Sequence, residues 1–252
     1  MKKIFYQLAA AITFFTRLPL WKVLEIPSES FKRIICFWPL TGWVTGGFTA
    51  LVWWAFSFLF PPVIAVILAF ACRVLLTGGL HEDGLGDFFD GFGAGHTKED
   101  VLRIMKDSHV GSYALIGMIF YYLLLINIIV CIPKEMTAIA FIAADPFSKM
   151  LTALMMNLLP YARAEQESKS KTILEKLSFF GIITILTFGL LPIILLFNVK
   201  LWLSLLLPIA TVSLVFMLSK KRIGGYTGDI CGATALLCEL SFYLSLYAVL
   251  RF

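Results

Sequence analysis

From Ile34 to Cys72 the chain carries no Asp, Glu, Lys or Arg. One bilayer crossing needs about 20 apolar residues, so this run can cross twice, and Pro61-Pro62 divides it. Further apolar stretches run from Val110 to Cys131, Thr137 to Leu159, Ser178 to Asn198, Leu201 to Ser219 and Gly232 to Leu250. The pattern predicts an all-α integral membrane protein, a polytopic bundle of about seven transmembrane helices. Their even spacing predicts one membrane-embedded domain over residues 1–252. Ahead of them, Lys2-Lys3 and an apolar Ile4 to Phe15 imitate a secretory signal, but Arg17-Leu18-Pro19 offers no small-residue cleavage site. A retained amino-terminal interfacial helix is expected there. Gly42 and Gly46 form a G-x-x-x-G step, the pattern of a close helix contact.

Composition agrees with that reading. The chain is 60% hydrophobic and 15% charged, with a mean hydropathy of +0.88, well outside the soluble globular class. Most of the 21 Lys and Arg residues fall in four places: the segment before the first span, and the 78–109, 160–177 and 220–231 loops. Lys134, Lys200 and Arg251 lie at the other ends of the spans. Cations collect on the cytoplasmic side, so the amino terminus and the three long loops are expected to face the cytoplasm. These loops and anionic lipid explain the net charge of +5, which is no sign of nucleic acid binding. Cys36, Cys72, Cys131, Cys231 and Cys238 show no C-x-x-C spacing and read as small apolar residues.

The 78–109 loop holds seven of the sixteen acids and seven of the eighteen glycines. If it is helical, Asp83, Asp87 and Asp90 stand at i, i+4 and i+7 on one face. Like charges about 6 Å apart repel by roughly 2–3 kcal/mol per pair at an effective dielectric near 20. A cation or raised pKa values would offset this. Carboxylates without thiolates suit Mg²⁺, which takes one or two carboxylates and completes its shell with water and phosphate. A phosphorylated substrate follows. The plainer alternative, a solvated acidic loop, sits badly with the interleaved Phe88, Phe89 and Phe92.

Next along the chain, Lys106-Asp107-Ser108-His109 places a cation, a carboxylate, a hydroxyl and an imidazole at the entry to a span. A second glycine-rich turn, Gly224-Gly225-Tyr226-Thr227-Gly228-Asp229, follows the basic Lys220-Lys221-Arg222. Its amides could meet an anion and Asp229 could add a metal ligand. Arg73, Asp145, Lys149 and Glu239 are ionisable groups inside spans, each costing about 2.5–3.5 kcal/mol at the bilayer centre. Asp145 and Lys149, at i and i+4, could simply pair.

Thr13-Phe14-Phe15-Thr16-Arg17-Leu18-Pro19, Thr77-Gly78-Gly79-Leu80-His81-Glu82-Asp83-Gly84-Leu85-Gly86-Asp87, Ile104-Met105-Lys106-Asp107-Ser108 and Gly224-Gly225-Tyr226-Thr227-Gly228-Asp229 together resemble the cobalamin synthase family, in matching order and spacing. The resemblance implies a Mg²⁺-dependent enzyme of the prokaryotic inner membrane with its active site facing the cytoplasm. It would join adenosylcobinamide-GDP to α-ribazole or its 5′-phosphate, release GMP, and complete the lower ligand of a cobamide. Membrane lipid is the expected surrounding, and a homo-oligomer and other cobamide-assembly enzymes are possible partners. On this reading Glu82, Asp83, Asp87, Asp90 and Asp229 are the metal candidates. Asp83, Asp87, Asp107 and His81 are the catalytic candidates, the last two as proton acceptors. Arg73, Lys106, Ser108, Lys149, Gly225, Thr227 and Gly228 are the substrate-binding candidates. The sequence departs from the family pattern at Gly86, at Phe88-Phe89 and at Ser148-Lys149, where a Ser-Arg pair is expected. Two rival classes are a membrane phosphotransferase or prenyltransferase of another kind and a cation-coupled transporter. The acids crowd at one surface instead of mid-depth, which counts against transport, and no D-G-x-x-A-R run of the CDP-alcohol group is present.

Overall fold

A computed structural model describes residues 2–163 and 175–251. Lys169 and Lys171 of the basic 160–177 loop lie outside the described residues. The helices, in order, are α1 Lys2–Phe15, α2 Trp38–Phe56, α3 Pro62–Thr77, α4 Leu80–Ala94, α5 Lys98–Ile104, α6 Ser112–Cys131, α7 Lys134–Leu158, α8 Phe179–Leu190, α9 Leu206–Ile223 and α10 Gly228–Arg251. Short 3₁₀ segments join several of them, including Ser28–Phe37 before α2 and Val199–Leu205 before α9. Among the described residues the only β-type pairing is an isolated bridge between Tyr161 and Tyr226.

All seven expected spans are helical, but they are not alike. Five helical stretches are long and apolar enough to cross a membrane, and a sixth results if α3 and α4 are counted as one span bent by 95°. The apolar segment from Phe179 to Leu195 is shorter. It changes from α to 3₁₀ geometry at Leu191-Pro192, where proline has no N–H to continue the helix. The molecule is a multi-pass helical membrane protein.

Helix α7 is central. Its apolar window is 83% buried, against 22% for those of α6 and of the segment containing α9, which have the higher hydropathies of 2.5 and 2.3. Strongly apolar but exposed helices are lipid-facing, since lipid gives apolar side chains no reason to turn inward. Helix α2 meets α7 through the G-x-x-x-G face: a Cβ on Gly42 would lie 2.7 Å from Pro146 Cα, and one on Gly46 2.6 Å from the Phe141 carbonyl oxygen. Helix α10 packs on α4, α7 and α9.

The α3–α4 bend sets the position of the acids. Gly78 and Gly79 both adopt left-handed backbone, with φ of 72° and 71°, a conformation that side chains with a Cβ disfavour. The backbone N–H of Arg17 donates to the Leu76 carbonyl at 2.7 Å, which ties the amino-terminal segment to this turn. Helix α4 thus folds back against α6 and α10 instead of leaving the bundle as a loop. Thr97 and Asp100 then start α5 with reciprocal side-chain caps.

Candidate active site

Two motifs far apart in sequence meet backbone to backbone. A Cβ on Gly84 of α4 would lie 2.7 Å from the Asp229 carbonyl oxygen, and one on Gly232 of α10 would lie 3.1 Å from His81 Cα. The turn leading into α10 is itself clasped to the end of α7. The Tyr226 N–H donates to the Pro160 carbonyl at 2.9 Å, and the Ala162 N–H to the Tyr226 carbonyl at 2.8 Å. A side chain at Gly225 would collide with the Pro160 carbonyl. Thr227 is buried, and its hydroxyl accepts from the Ile230 N–H at 3.3 Å, so it caps α10. Gly228 has open space where a Cβ would sit.

The acids expected to converge are divided. Asp83 is exposed and Asp87 half-buried, one turn apart on α4. Asp90 is buried, and it accepts from the Gly111 N–H at 2.7 Å and the Ala114 N–H at 2.8 Å. It therefore supplies the counter-charge and cap for the amino terminus of α6. Asp229 faces Arg163, at 3.1 Å. Glu82, one residue before Asp83 and so about 100° round the helix, lines an internal cavity with an unpartnered Oε2. Among the described residues no three His, Cys, Asp or Glu side chains come together as a ready cation site. The convergence of Asp83, Asp87 and Asp90 on one spot is thus corrected: the third carboxylate is drawn off by the backbone amides of α6. What remains on α4, hard oxygen donors on Asp83 and Asp87 without a thiolate, fits a cation that takes one or two carboxylates with water and substrate phosphate.

The two expected phosphate grips inside the bundle are ion-paired. Arg73 meets Glu239 at 2.6 Å, and Tyr243 donates to the same carboxylate oxygen at 2.6 Å. Lys149 meets Asp145 at 2.5 Å and donates to the Thr45 hydroxyl at 2.7 Å, which donates to Asp145 at 2.5 Å. All four charged residues are buried.

Lys106, Asp107 and Ser108 are exposed beyond α5. Asp107 Oδ1 accepts from the His109 backbone N–H at 3.0 Å and lies 2.6 Å from its Nδ1. The backbone bond to His109, then the ring contact, holds the Asp107 carboxyl below its ordinary value. The same side-chain contact raises His109 above its own. Arg222 donates to the Gly95 carbonyl, which joins the end of the first glycine-rich stretch to the basic triplet. Arg163, Thr45 and Tyr243 went unnoticed as site residues from sequence. Glu239 and Asp145, the partners of the two cations, had a signal as ionisable groups within spans.

A family model described as cobalamin-5-phosphate synthase matches residues 7–247. The adenosylcobinamide-GDP ribazoletransferases of Shewanella sp. (strain W3-18-1) and Shewanella putrefaciens are each 36% identical over 242 residues, 95% of this chain and 92% of theirs. That of Shewanella oneidensis is 34% identical with the same coverage. No solved structure matches the chain. With the match running through the α4 acids, the α5–α6 turn and the α10 turn alike, the chain belongs to the cobalamin-5-phosphate synthase family.

Proposed function

We propose that this protein is an adenosylcobinamide-GDP ribazoletransferase that joins adenosylcobinamide-GDP to α-ribazole or its 5′-phosphate and releases GMP. Its curated relatives carry that name. The observation that carries the reading is the backbone contact between α4 and the start of α10, because it brings the acid motif and the glycine-rich turn into one site. A ribazole hydroxyl attacks the phosphorus attached to cobinamide, the bond to the bridging oxygen breaks, and that oxygen departs with GMP.

The protein's part is positioning and proton handling, as in other phosphoryl transfers. Asp83 and Asp87 would hold Mg²⁺, which when bound neutralises charge on the phosphoryl and leaving oxygens. Lys106 offers a point charge for phosphate, with the Ser108 hydroxyl two residues further along the same turn. The Tyr226 amide holds the Gly225–Gly228 turn to Pro160, and the other amides of the turn would meet an anion. Asp107, oriented by His109, accepts the hydroxyl proton. We place this face on the cytoplasmic side of the inner membrane, on the strength of the basic loops that surround it.

Singly changing Asp83→Asn and Asp87→Asn and following GMP release across a Mg²⁺ titration tests the reading. Losses of about 100-fold or a large rise in the Mg²⁺ requirement are expected in both. Near-normal turnover in both variants, or activity that survives chelation, would end it.

A further inference from the structure

By the α3–α4 bend, α2, α3, α4, α7 and α10 line a partly open polar cavity of ≈ 20 Å³, where one water needs about 10–15 Å³. Its charged walls are largely self-satisfied: Arg73 is closed on Glu239 and Lys149 on Asp145. Two adjacent residues break that pattern. His81 and Glu82 both line the cavity, and their Nε2 and Oε2 atoms are shielded from solvent with no hydrogen-bond partner. His81 is only 5% exposed. Its ring lies 5.8 Å from Trp38 at 24°, and Trp38 stacks on Phe15 at 5.0 Å and 10°, so its edge is fixed in direction.

Two buried polar atoms left unmade are costly, and a ligand that satisfies both would recover that cost. A phosphate does not fit. The two cations that line it are already neutralised, and the Glu82 carboxylate would repel it. A group that donates one hydrogen bond and accepts another, in a space of this size, is a hydroxyl or the water that it displaces. We propose that this cavity is a subsite for a ribose hydroxyl of the nucleoside acceptor, donating to Glu82 Oε2 and accepting from the Nε2–H tautomer of His81. The assignment rests on the ribazole-transfer reading and adds to it the means of recognising the acceptor's sugar.

The test uses the full chain in detergent. Steady-state GMP release gives KM for α-ribazole and for adenosylcobinamide-GDP in the wild type and in Glu82→Gln. The expected result is a rise of about tenfold or more in KM for α-ribazole. KM for adenosylcobinamide-GDP and the midpoint of Mg²⁺ activation should stay within about twofold. A Mg²⁺ midpoint that moves instead, an equal rise for both substrates, or no rise at all would overturn the subsite while leaving the reaction intact. Binding of α-ribazole and its 2′-, 3′- and 5′-deoxy analogues to the wild type, measured calorimetrically without the second substrate, covers the case of a variant that does not fold. One analogue is expected to bind about tenfold more weakly or worse, and equal binding of all four would overturn the proposal. If the wild type releases no GMP from the two substrates, the reaction reading falls and takes the subsite with it.

Discussion

Asp90 shows why a carboxylate's role is decided by what faces it. The acid pattern on α4 is legible as i, i+4, i+7 spacing, but the two amides that Asp90 receives belong to Gly111 and Ala114 at the start of α6. No local rule connects those positions. Asp90→Asn keeps the shape but turns one acceptor oxygen into a donor facing an N–H. A loss of about 1–3 kcal/mol is expected, read as a lowered Tm in detergent, and Mg²⁺ addition should not restore it. Asp107 and His109 supply a second check at this scale. Because the His109 pKa is raised by Asp107, their attraction is complete below the ordinary histidine value and is lost as pH rises through the elevated one. An NMR titration of the His109 ring should give a midpoint above about 6.5, returning towards it in Asp107→Asn. A wild-type midpoint at or below the ordinary value would refute the dyad.

Glycine patterns speak more clearly for elements. The G-x-x-x-G of α2 announced a close helix contact, and Gly42 and Gly46 do face the α7 backbone at Pro146 and Phe141. Gly46→Leu would force two packed helices apart and is expected to destabilise by about 1–3 kcal/mol or more. Gly47→Leu, where a Cβ meets nothing within 4 Å, should stay close to the wild-type Tm. Equal effects from the two would show that the seam is not where α2 meets its partner. What hydropathy did not reveal is where a span bends. Nothing in the apolar pattern marks Gly78-Gly79 as the place of the bend. The 95° fold-back of α4 depends on Arg17 reaching the Leu76 carbonyl and on the close approach of α4 and α10 at Gly84 and Gly232. The short α8 escaped for a related reason: apolar content measures affinity for lipid, and Pro192 alone marks the change of helix geometry.

Across the whole molecule, the ionisable groups inside the spans were visible as anomalies, but their pairing was visible only for Asp145 and Lys149, which share a helix. Arg73 and Glu239 lie on α3 and α10 and meet only in the assembled bundle. Removing one member of a buried pair leaves an uncompensated charge and costs about 3–5 kcal/mol, while replacing both by apolar groups is often close to neutral. Arg73→Met and Glu239→Met should therefore each lower the Tm sharply, and the double variant should recover most of the loss. Turnover should not recover with it. Both side chains wall the cavity that His81 and Glu82 enter, and methionine offers that cavity neither donor nor strong acceptor. A double variant that regains both stability and GMP release would mean that the pair serves only to join α3 to α10. Regained stability without turnover would mean that the charges are kept in the membrane for the substrate.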